Sequence, residues 1–540
     1  MCGILCIIKL KGSVDIEKAQ RCLSYLRDRG PDKSSYSLIT EADYEIFMGF
    51  SRLAIMDTSD AGQQPFEDEN GIIICNGEIY NYKELALEYG ITMKTECDCE
   101  VLLPLCQKVG FNTMIRDKLN GEFAIVYYDK KKKKLYSARD RYGVRPLYYG
   151  FNATDNTIGF SSELKGLHPI MESVEQMTPT NITKITIGLP YLTKTTPYYS
   201  YDNINNNFLS ETGQHDIGHI NSELQRLVTN AVAKRLNSDR PIGFLLSGGL
   251  DSSLIVAIAT RILNPENMIC FSIGVDGSPD IEASKKVVEY LGIKNHHIIP
   301  FDIQEGIKCL PDVINAIETY DVTTIRASTP QYIMAKYIRE NTDVRVILSG
   351  EGSDEIHGSY RYFRDAPNII EFYYETLRLL RELPYFDNQR TDRTMSHFGL
   401  EVRIPFLDFD YVKFVTKMDP RLLMYRPDYI EKSVLRNSFI NYLPNEILYR
   451  SKEAFSDAVS SSEVNWAKSV QEVAETTITD DALIINKFTI NKPRTKDALY
   501  FRNIFDMIYP GRCNVIPHYW LPRFQKIEVL DPSARVLASY

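Results

Sequence analysis

With 540 residues, 44% hydrophobic and 25% charged, the chain is too long for one core and reads as about two to four soluble globular domains. Its formal net charge of −9 argues against a general nucleic-acid binder, which carries a basic face. No apolar run approaches the roughly 18 residues of a membrane span, and no secretory pattern opens the chain, so a cytoplasmic location is expected.

Residues 1 to about 200 read as short strands with few long helices. The runs Gly3–Ile8, Tyr44–Phe50, Ile72–Cys75 and Phe123–Tyr128 predict strands, and helices are expected over Ile16–Leu26 and Glu100–Lys108. That mixture implies an α+β domain of packed, mostly antiparallel sheets. The basic run Lys130–Lys134 lies between two apolar strands and reads as a solvated hairpin turn. The polar, Asn-rich stretch Tyr201–Asp216 is expected to be a linker.

From Ile217 the pattern changes to helix alternating with apolar strand. Helices are expected over Asn221–Leu236, Ser253–Leu263 and Asp280–Leu291, with strands at Ile242–Leu246, Met268–Ile273, Asn295–Pro300 and Val344–Leu348. Such alternation implies an α/β domain with a parallel sheet and helices on both faces. Residues 365 to about 500 look mainly helical, and no internal repeat is visible. The expected division is therefore a first domain over 1–200, a linker over 201–216, a second domain over 217–525 and a tail over 526–540.

Ten cysteines in a chain of this length do not make a disulfide scaffold. Cys97-Asp98-Cys99 has no second pair at zinc-site spacing, and most of the ten read as reduced, buried small hydrophobes. Cys2 stands apart. Removal of Met1 would leave it with a thiol and a free α-amine, whose ordinary pKa near 7.7–8 suits it to take the thiol proton without a histidine. The thiolate could then attack an amide carbonyl, forming a thioester and releasing ammonia.

Other residues fit that chemistry. Asn76-Gly77 follows the strand Ile72–Cys75, so an amide side chain and a backbone N–H fall at a strand end, where both could donate to an oxyanion. Asn-Gly there also reads as a plain hairpin turn. Arg52 suits a carboxylate as a bidentate fork, and Glu78 and Asp98 suit an ammonium, although each could be an ordinary surface charge.

Met1-Cys-Gly-Ile4, Arg29-Gly-Pro-Asp32, Ser51-Arg-Leu53, Asn76-Gly-Glu78, Asp98 and Arg139-Asp-Arg-Tyr-Gly-Val-Arg-Pro-Leu147 together resemble the class II, N-terminal-nucleophile glutamine amidotransferases. The resemblance covers nearly the whole first 200 residues and implies an N-terminal-nucleophile hydrolase-like fold. It implies Cys2 as nucleophile, Asn76 and Gly77 as oxyanion hole, and Arg52, Asn76, Gly77, Glu78 and Asp98 as glutamine contacts.

Ser247-Gly-Gly-Leu-Asp-Ser-Ser253 lies between an expected strand and an expected helix. Glycines admit an anion close to the backbone, and the helix start directs N–H groups at it. No Gly-Lys-Ser/Thr is present, so this is not the Walker loop. It looks like the pyrophosphate loop of enzymes that split ATP between the α and β phosphates; a plain Gly-rich helix cap is the alternative. A second strand ends in Ser349-Gly-Glu-Gly-Ser-Asp-Glu355, and loops at the carboxyl ends of parallel strands face one crevice. Asp251 and Asp354 thereby become candidate Mg²⁺ ligands beside phosphates, or helix caps.

Glu318–Pro330, Val402–Asp408, Arg450–Asp457 and Asp531–Arg535 narrow the resemblance to the asparagine synthetases. It implies nucleotide contacts at Leu245, Ser247, Gly248, Gly249, Asp251, Ser252, Ile273, Ser349 and Gly350. It implies Thr323, Thr324 and Arg326 near aspartate or pyrophosphate, Glu351 near the reacting carboxyl, and Lys452 as a cation on the α-phosphate. Two departures stand out: Ile356-His-Gly-Ser-Tyr360 where relatives carry an aromatic residue and Gly-Gly-Tyr, and Lys33 where many carry Trp. His357 and Ser359 could alter loop geometry or turnover, and Lys33 the closing of the glutamine loop, while neither departure is expected to touch a residue assigned a catalytic role. The implied reaction joins glutamine-derived ammonia to a β-aspartyl-adenylate made from Mg²⁺-ATP and aspartate. Its partners are small molecules, with no nucleic acid and no membrane, and a homodimer is admitted. An amidotransferase acting on another carboxylate, a tRNA-modifying enzyme and a non-catalytic relative are the alternatives.

Overall fold

The computed structural model describes residues 1–188, 191–201, 216–426, 430–451, 460, 465–484, 487–524 and 530–531. Most of the expected linker, Lys452 and most of the expected tail lie outside these residues. The chain forms two compact units. One comprises Met1–Ser200, Ser238–Arg240 and Met395–Glu401; the other comprises Tyr201–Asn237, Pro241–Thr394 and Val402–Tyr540.

The first unit contains two six-stranded sheets. Gly3–Leu10 lies between Tyr44–Arg52 and Thr157–Ser161, antiparallel to both. Gly71–Ile79 runs antiparallel to Gly121–Asp129 over its whole length. Alternate residues point to opposite faces of a strand, so Ile4, Cys6, Ile8 and Leu10 share one face. They join Ile46, Met48 and Phe50 of the same sheet and Ile72, Ile74, Ala124 and Val126 of the other in one buried cluster. Alternate members of the apolar runs legible in the sequence thus fill the space between two packed sheets. The helix Ile16–Ser24 begins where the Asp15 side chain accepts from the Lys18 N–H. Lys130–Lys133 forms the turn between Gly121–Asp129 and Lys134–Arg139, as the charge pattern implies.

The second unit is built on a five-stranded sheet in the order Asn295–Pro300, Ile269–Gly274, Ile242–Leu245, Val346–Leu348, Glu401–Arg403. The first four are mutually parallel. Helices Leu250–Ala259, Pro279–Leu291 and Val322–Asn341 connect them, which is the α/β alternation expected. The three-residue strand Glu401–Arg403 is too short to carry a readable period and was not anticipated. Among the described residues no helix is long and apolar enough to cross a membrane. All ten cysteines are free, and seven are buried, with Cys2, Cys309 and Cys513 partly exposed.

Candidate active sites

In the first unit the Gly3–Leu10 strand begins directly after Cys2 and pairs Gly3 with Ser51, so the thiol emerges beside the end of the Tyr44–Arg52 strand. Cys2 Sγ lies 3.4 Å from the Leu53 N–H, which donates to it. The Cys2 carbonyl accepts from Arg29 Nε at 2.9 Å, and the same buried guanidinium pairs with Glu163 at 2.8 Å. Arg29 of the Arg-Gly-Pro-Asp motif therefore fixes the backbone that carries the thiol. Desolvation pushes the Cys2 thiol up to about 12, so at neutral pH it is a protonated thiol that needs a base. Burial likewise lowers the adjacent chain-terminal amine, here that of Met1, to about 6. An amine in this environment is neutral at pH 7 and can accept a proton.

Asn76 and Gly77 lie within the strand Gly71–Ile79, not at its end, paired with Ala124 and Phe123. The hairpin reading therefore fails. The glycine is required, because a Cβ on Gly77 would stand 2.1 Å from the Glu122 carbonyl oxygen. Asn76 is fully buried, and neither its amide nitrogen nor its amide oxygen has a hydrogen-bond partner among the described residues. An orphaned buried amide is costly in a native fold unless a ligand completes it. Cys2 packs against the buried cluster that contains Ile72 and Ile74 of this strand, which places the strand beside the thiol. Asp98 is buried and accepts from the Ile79 N–H at 2.6 Å, so it is tied to the same strand as Glu78. Arg52 reaches the backbone carbonyls of Met56, Asp57 and Ser59. That loop was not read from the sequence as its partner. Lys33, the departure near this site, forms an exposed pair with Asp60 at 2.9 Å.

In the second unit the two glycine-rich loops meet. Ile242 and Phe244 pair with Val346 and Leu348 in parallel register, so the loops that follow leave the sheet side by side. A Cβ on Gly350 would stand 2.8 Å from the Ser252 nitrogen, and one on Gly248, at φ +72°, only 2.6 Å from the Ser284 nitrogen. A cavity of about 470 Å³ opens over them. Its walls include Leu245, Ser247, Gly249, Asp251, Ser252, Ile273, Thr323, Thr324, Arg326, Ser349, Gly350, Glu351 and Asp354. Gly248 alone of the expected described residues is not on the wall; it lets the loop pack against Ala283 and Ser284.

The charges in this cavity are organised by Asp321 and Asp531 of the motif segments together with Arg390, Lys432 and Asp497, which no motif announced. Asp321 caps the helix Val322–Asn341 by accepting from the Thr324 N–H at 2.9 Å, and the Thr323 and Thr324 hydroxyls donate to the same oxygen at 2.6 and 2.8 Å. Arg326 pairs with Asp497 at 2.5 Å and Asp531 at 2.9 Å. Glu351 pairs with Arg390 at 2.6 Å. Lys432 bridges Asp251 and Asp354, at 2.6 Å from each. Among the described residues no three His, Cys, Asp or Glu side chains cluster as a metal cage. Two hard carboxylates in a cavity sized for a nucleotide do fit Mg²⁺, which commonly takes one or two carboxylates and completes its shell with phosphate oxygens and water.

The two substitutions after Asp354 reach this network through Ser353 and Asp354. Ser359 Oγ donates to Asp354 Oδ1. His357 sits 2.7 Å from the Ser353 carbonyl oxygen and 3.1 Å from the Tyr411 hydroxyl, and Ser353 Oγ donates to Asp251 at 2.7 Å. Burial, aided by Lys432, lowers His357 to about 4. The unfolded chain therefore binds a proton below about 6.5 that the folded chain refuses until about pH 4. Stability contributed by the neutral ring is present above that window and is lost as pH falls into it. In urea titrations at pH 7 and pH 5, His357→Gln should show a pH-dependent stability loss smaller than wild type by about 2 kcal/mol. An equal loss in both proteins contradicts the assignment.

The folds define an N-terminal-nucleophile hydrolase-like unit of antiparallel sheets followed by an α/β unit whose parallel sheet carries a nucleotide-sized cavity. Residues 1–217 match the family described as "Glutamine amidotransferase domain", and residues 223–385 and 371–514 match "Asparagine synthase". A protein of Acanthamoeba polyphaga mimivirus described as "Probable asparagine synthetase (glutamine-hydrolyzing)" is 56% identical, over 99% of this chain and 100% of its own. The asparagine synthetases (glutamine-hydrolyzing) of Gallus gallus and Homo sapiens are 39% and 38% identical over 100% of this chain and 99% of theirs. The chain belongs to the glutamine-hydrolysing asparagine synthetase family.

Proposed function

We propose that the protein makes asparagine from aspartate, ATP and glutamine. The observation that carries this reading is a cavity of the second unit in which both strand-end loops and the Thr323–Arg326 helix start enclose a space for a nucleotide and a small acid. Residues 1–200 are the glutaminase, 201–216 the linker, 217–525 the synthetase and 526–540 a tail. The protein acts in the cytoplasm on small-molecule substrates, and a homodimer is compatible with this reading.

At Cys2 the thiol adds to the glutamine side-chain carbonyl while the α-amine freed by loss of Met1 takes its proton. Asn76 Nδ2 and the Gly77 N–H receive the oxyanion. Collapse expels ammonia, and water then cleaves the thioester to glutamate. Met1 is fully buried, so its excision precedes closure of this unit. Arg52, Glu78 and Asp98 hold the two charged ends of glutamine. In the other unit the aspartate carboxylate attacks the α-phosphorus of ATP and expels pyrophosphate; ammonia adds to the acyl carbon and expels AMP. The Ser247–Ser252 loop and Ser349–Gly350 hold the phosphates, Leu245 and Ile273 the base side, and Thr323, Thr324 and Arg326 the aspartate and pyrophosphate side. Mg²⁺ held by Asp251 and Asp354 supplies charge neutralisation on the phosphates. Glu351, beside the reacting carboxyl, receives a proton as ammonia becomes an amide.

Asparagine, AMP and glutamate measured with each substrate omitted in turn test this assignment. Asparagine formed without aspartate, or ADP in place of AMP, refutes it. Lys452 is the proposed cation for the α-phosphate. A preorganised charge there is worth about 3–4 kcal/mol in the transition state, so Lys452→Ala should slow adenylate formation by roughly 10²–10³ with ATP affinity changed much less. Positional exchange of labelled oxygen in ATP, with aspartate and no nitrogen donor, reads this step. Normal exchange removes Lys452 from the mechanism.

A further inference from the structure

Lys432 is an almost fully enclosed cation on the wall of the second unit's cavity and belongs to no recognised motif. Its side chain is 2% exposed. Its ammonium stands 2.8 and 2.6 Å from the two oxygens of Asp251 and 2.6 Å from Asp354 Oδ1. These are charge-assisted lengths, and they use three of the ammonium's donors at once. The backbone of Lys432 is left-handed, φ 58° and ψ 25°, immediately before the helix Ser433–Ser438. A non-glycine residue holds that conformation where its surroundings over-determine it.

Two carboxylates and one ammonium leave this corner with a single negative charge. A bare divalent cation seated between the carboxylates must take the place of the ammonium and then repel it at close range. A cation arriving on a polyphosphate brings the anion with which the displaced ammonium can pair. We infer that Lys432 is a positioning residue, the built-in counter-ion that holds Asp251 and Asp354 together, and that it restricts these carboxylates to a divalent cation delivered with the nucleotide. The inference rests on the reading of Asp251 and Asp354 as the metal carboxylates.

Mn²⁺ alone, titrated into the full chain and followed by electron paramagnetic resonance, tests this without turnover. Wild type should bind Mn²⁺ weakly in the absence of nucleotide. Lys432→Met should gain one site per chain at least tenfold tighter, and adding Asp251→Asn to it should abolish the gain. Lys432→Gln serves the same purpose should the methionine variant fail to fold, with glutaminase activity and a cooperative thermal transition reporting integrity. Unchanged Mn²⁺ affinity in a folded Lys432 variant, with nucleotide-dependent Mn²⁺ binding still sensitive to Asp251→Asn, overturns the inference and leaves the metal reading standing. A gain that survives Asp251→Asn overturns both.

Discussion

Cys2→Ala is expected to abolish glutamine-dependent synthesis while leaving ammonia-dependent synthesis intact. Loss of a covalent nucleophile costs on the order of 10⁵–10⁶ in rate, which puts the residual glutaminase below detection. The nitrogen acceptor is made in the other unit, so exogenous ammonia bypasses the missing thiol. The substitution itself is mild, since the backbone of residue 2 is held by Arg29 through the carbonyl and not through the thiol. Steady-state assays with each nitrogen donor decide the matter, and loss of both activities in a folded protein disproves separate sites. An extension that keeps a residue before Cys2 should reproduce the defect, because it turns the amine into an amide. Glutaminase should also fail on acidification, because the base must be neutral. Burial lowers the pKa of the chain-terminal amine that Met1 carries at this end, and the same cause acting on the Cys2 amine would keep activity at neutral pH and remove it on acidification. Full activity in the extended protein excludes the α-amine as base.

Asp251→Asn should lose pyrophosphate release with either nitrogen donor by roughly 10³, with glutaminase retained. The carboxylate accepts two hydrogen bonds from Lys432 and one from Ser353. An amide cannot balance the buried ammonium, and it offers a metal one neutral oxygen in place of a charged carboxylate. Part of the cost will appear as stability, because removing one partner of a buried ion pair commonly costs about 3–5 kcal/mol; here Asp354 remains and moderates it. Pyrophosphate release corrected for the folded fraction separates the two effects. Unchanged release per folded molecule removes Asp251 from the chemistry.

The architecture was legible because period and composition are local. Gly3–Leu10 and Gly121–Asp129 announce themselves by continuous apolar runs, and Ile242–Leu245 and Ile269–Gly274 by short apolar runs between helices. The loops Ser247–Ser253 and Ser349–Glu355 could be read for the same reason: glycine, hydroxyl and carboxylate residues between a strand and a helix are a contiguous pattern. Asn76-Gly77 was readable as chemistry but misplaced as geometry, since the apolar run that marked the strand stopped four residues before the strand itself does. Hydrogen bonding to Gly121–Asp129 carries it onward.

Charge pairing across sequence distance was not legible. Arg29 with Glu163, Arg326 with Asp497 and Asp531, and Glu351 with Arg390 join residues separated by tens to hundreds of positions. A charged residue in a sequence carries no mark of its partner. Nothing in the sequence singles out Lys432, which the fold buries between two carboxylates. His357 and Ser359 could be read as a change in loop geometry, but not as contacts of Ser353 and Asp354. By itself the sequence determined which reactive groups exist and which strand or helix bears each, because those depend on residue type and short-range period. Only the tertiary structure decided which of these groups are partnered and which, like the Asn76 amide, are left open for a ligand, because burial and pairing are set by chain segments that meet only on folding.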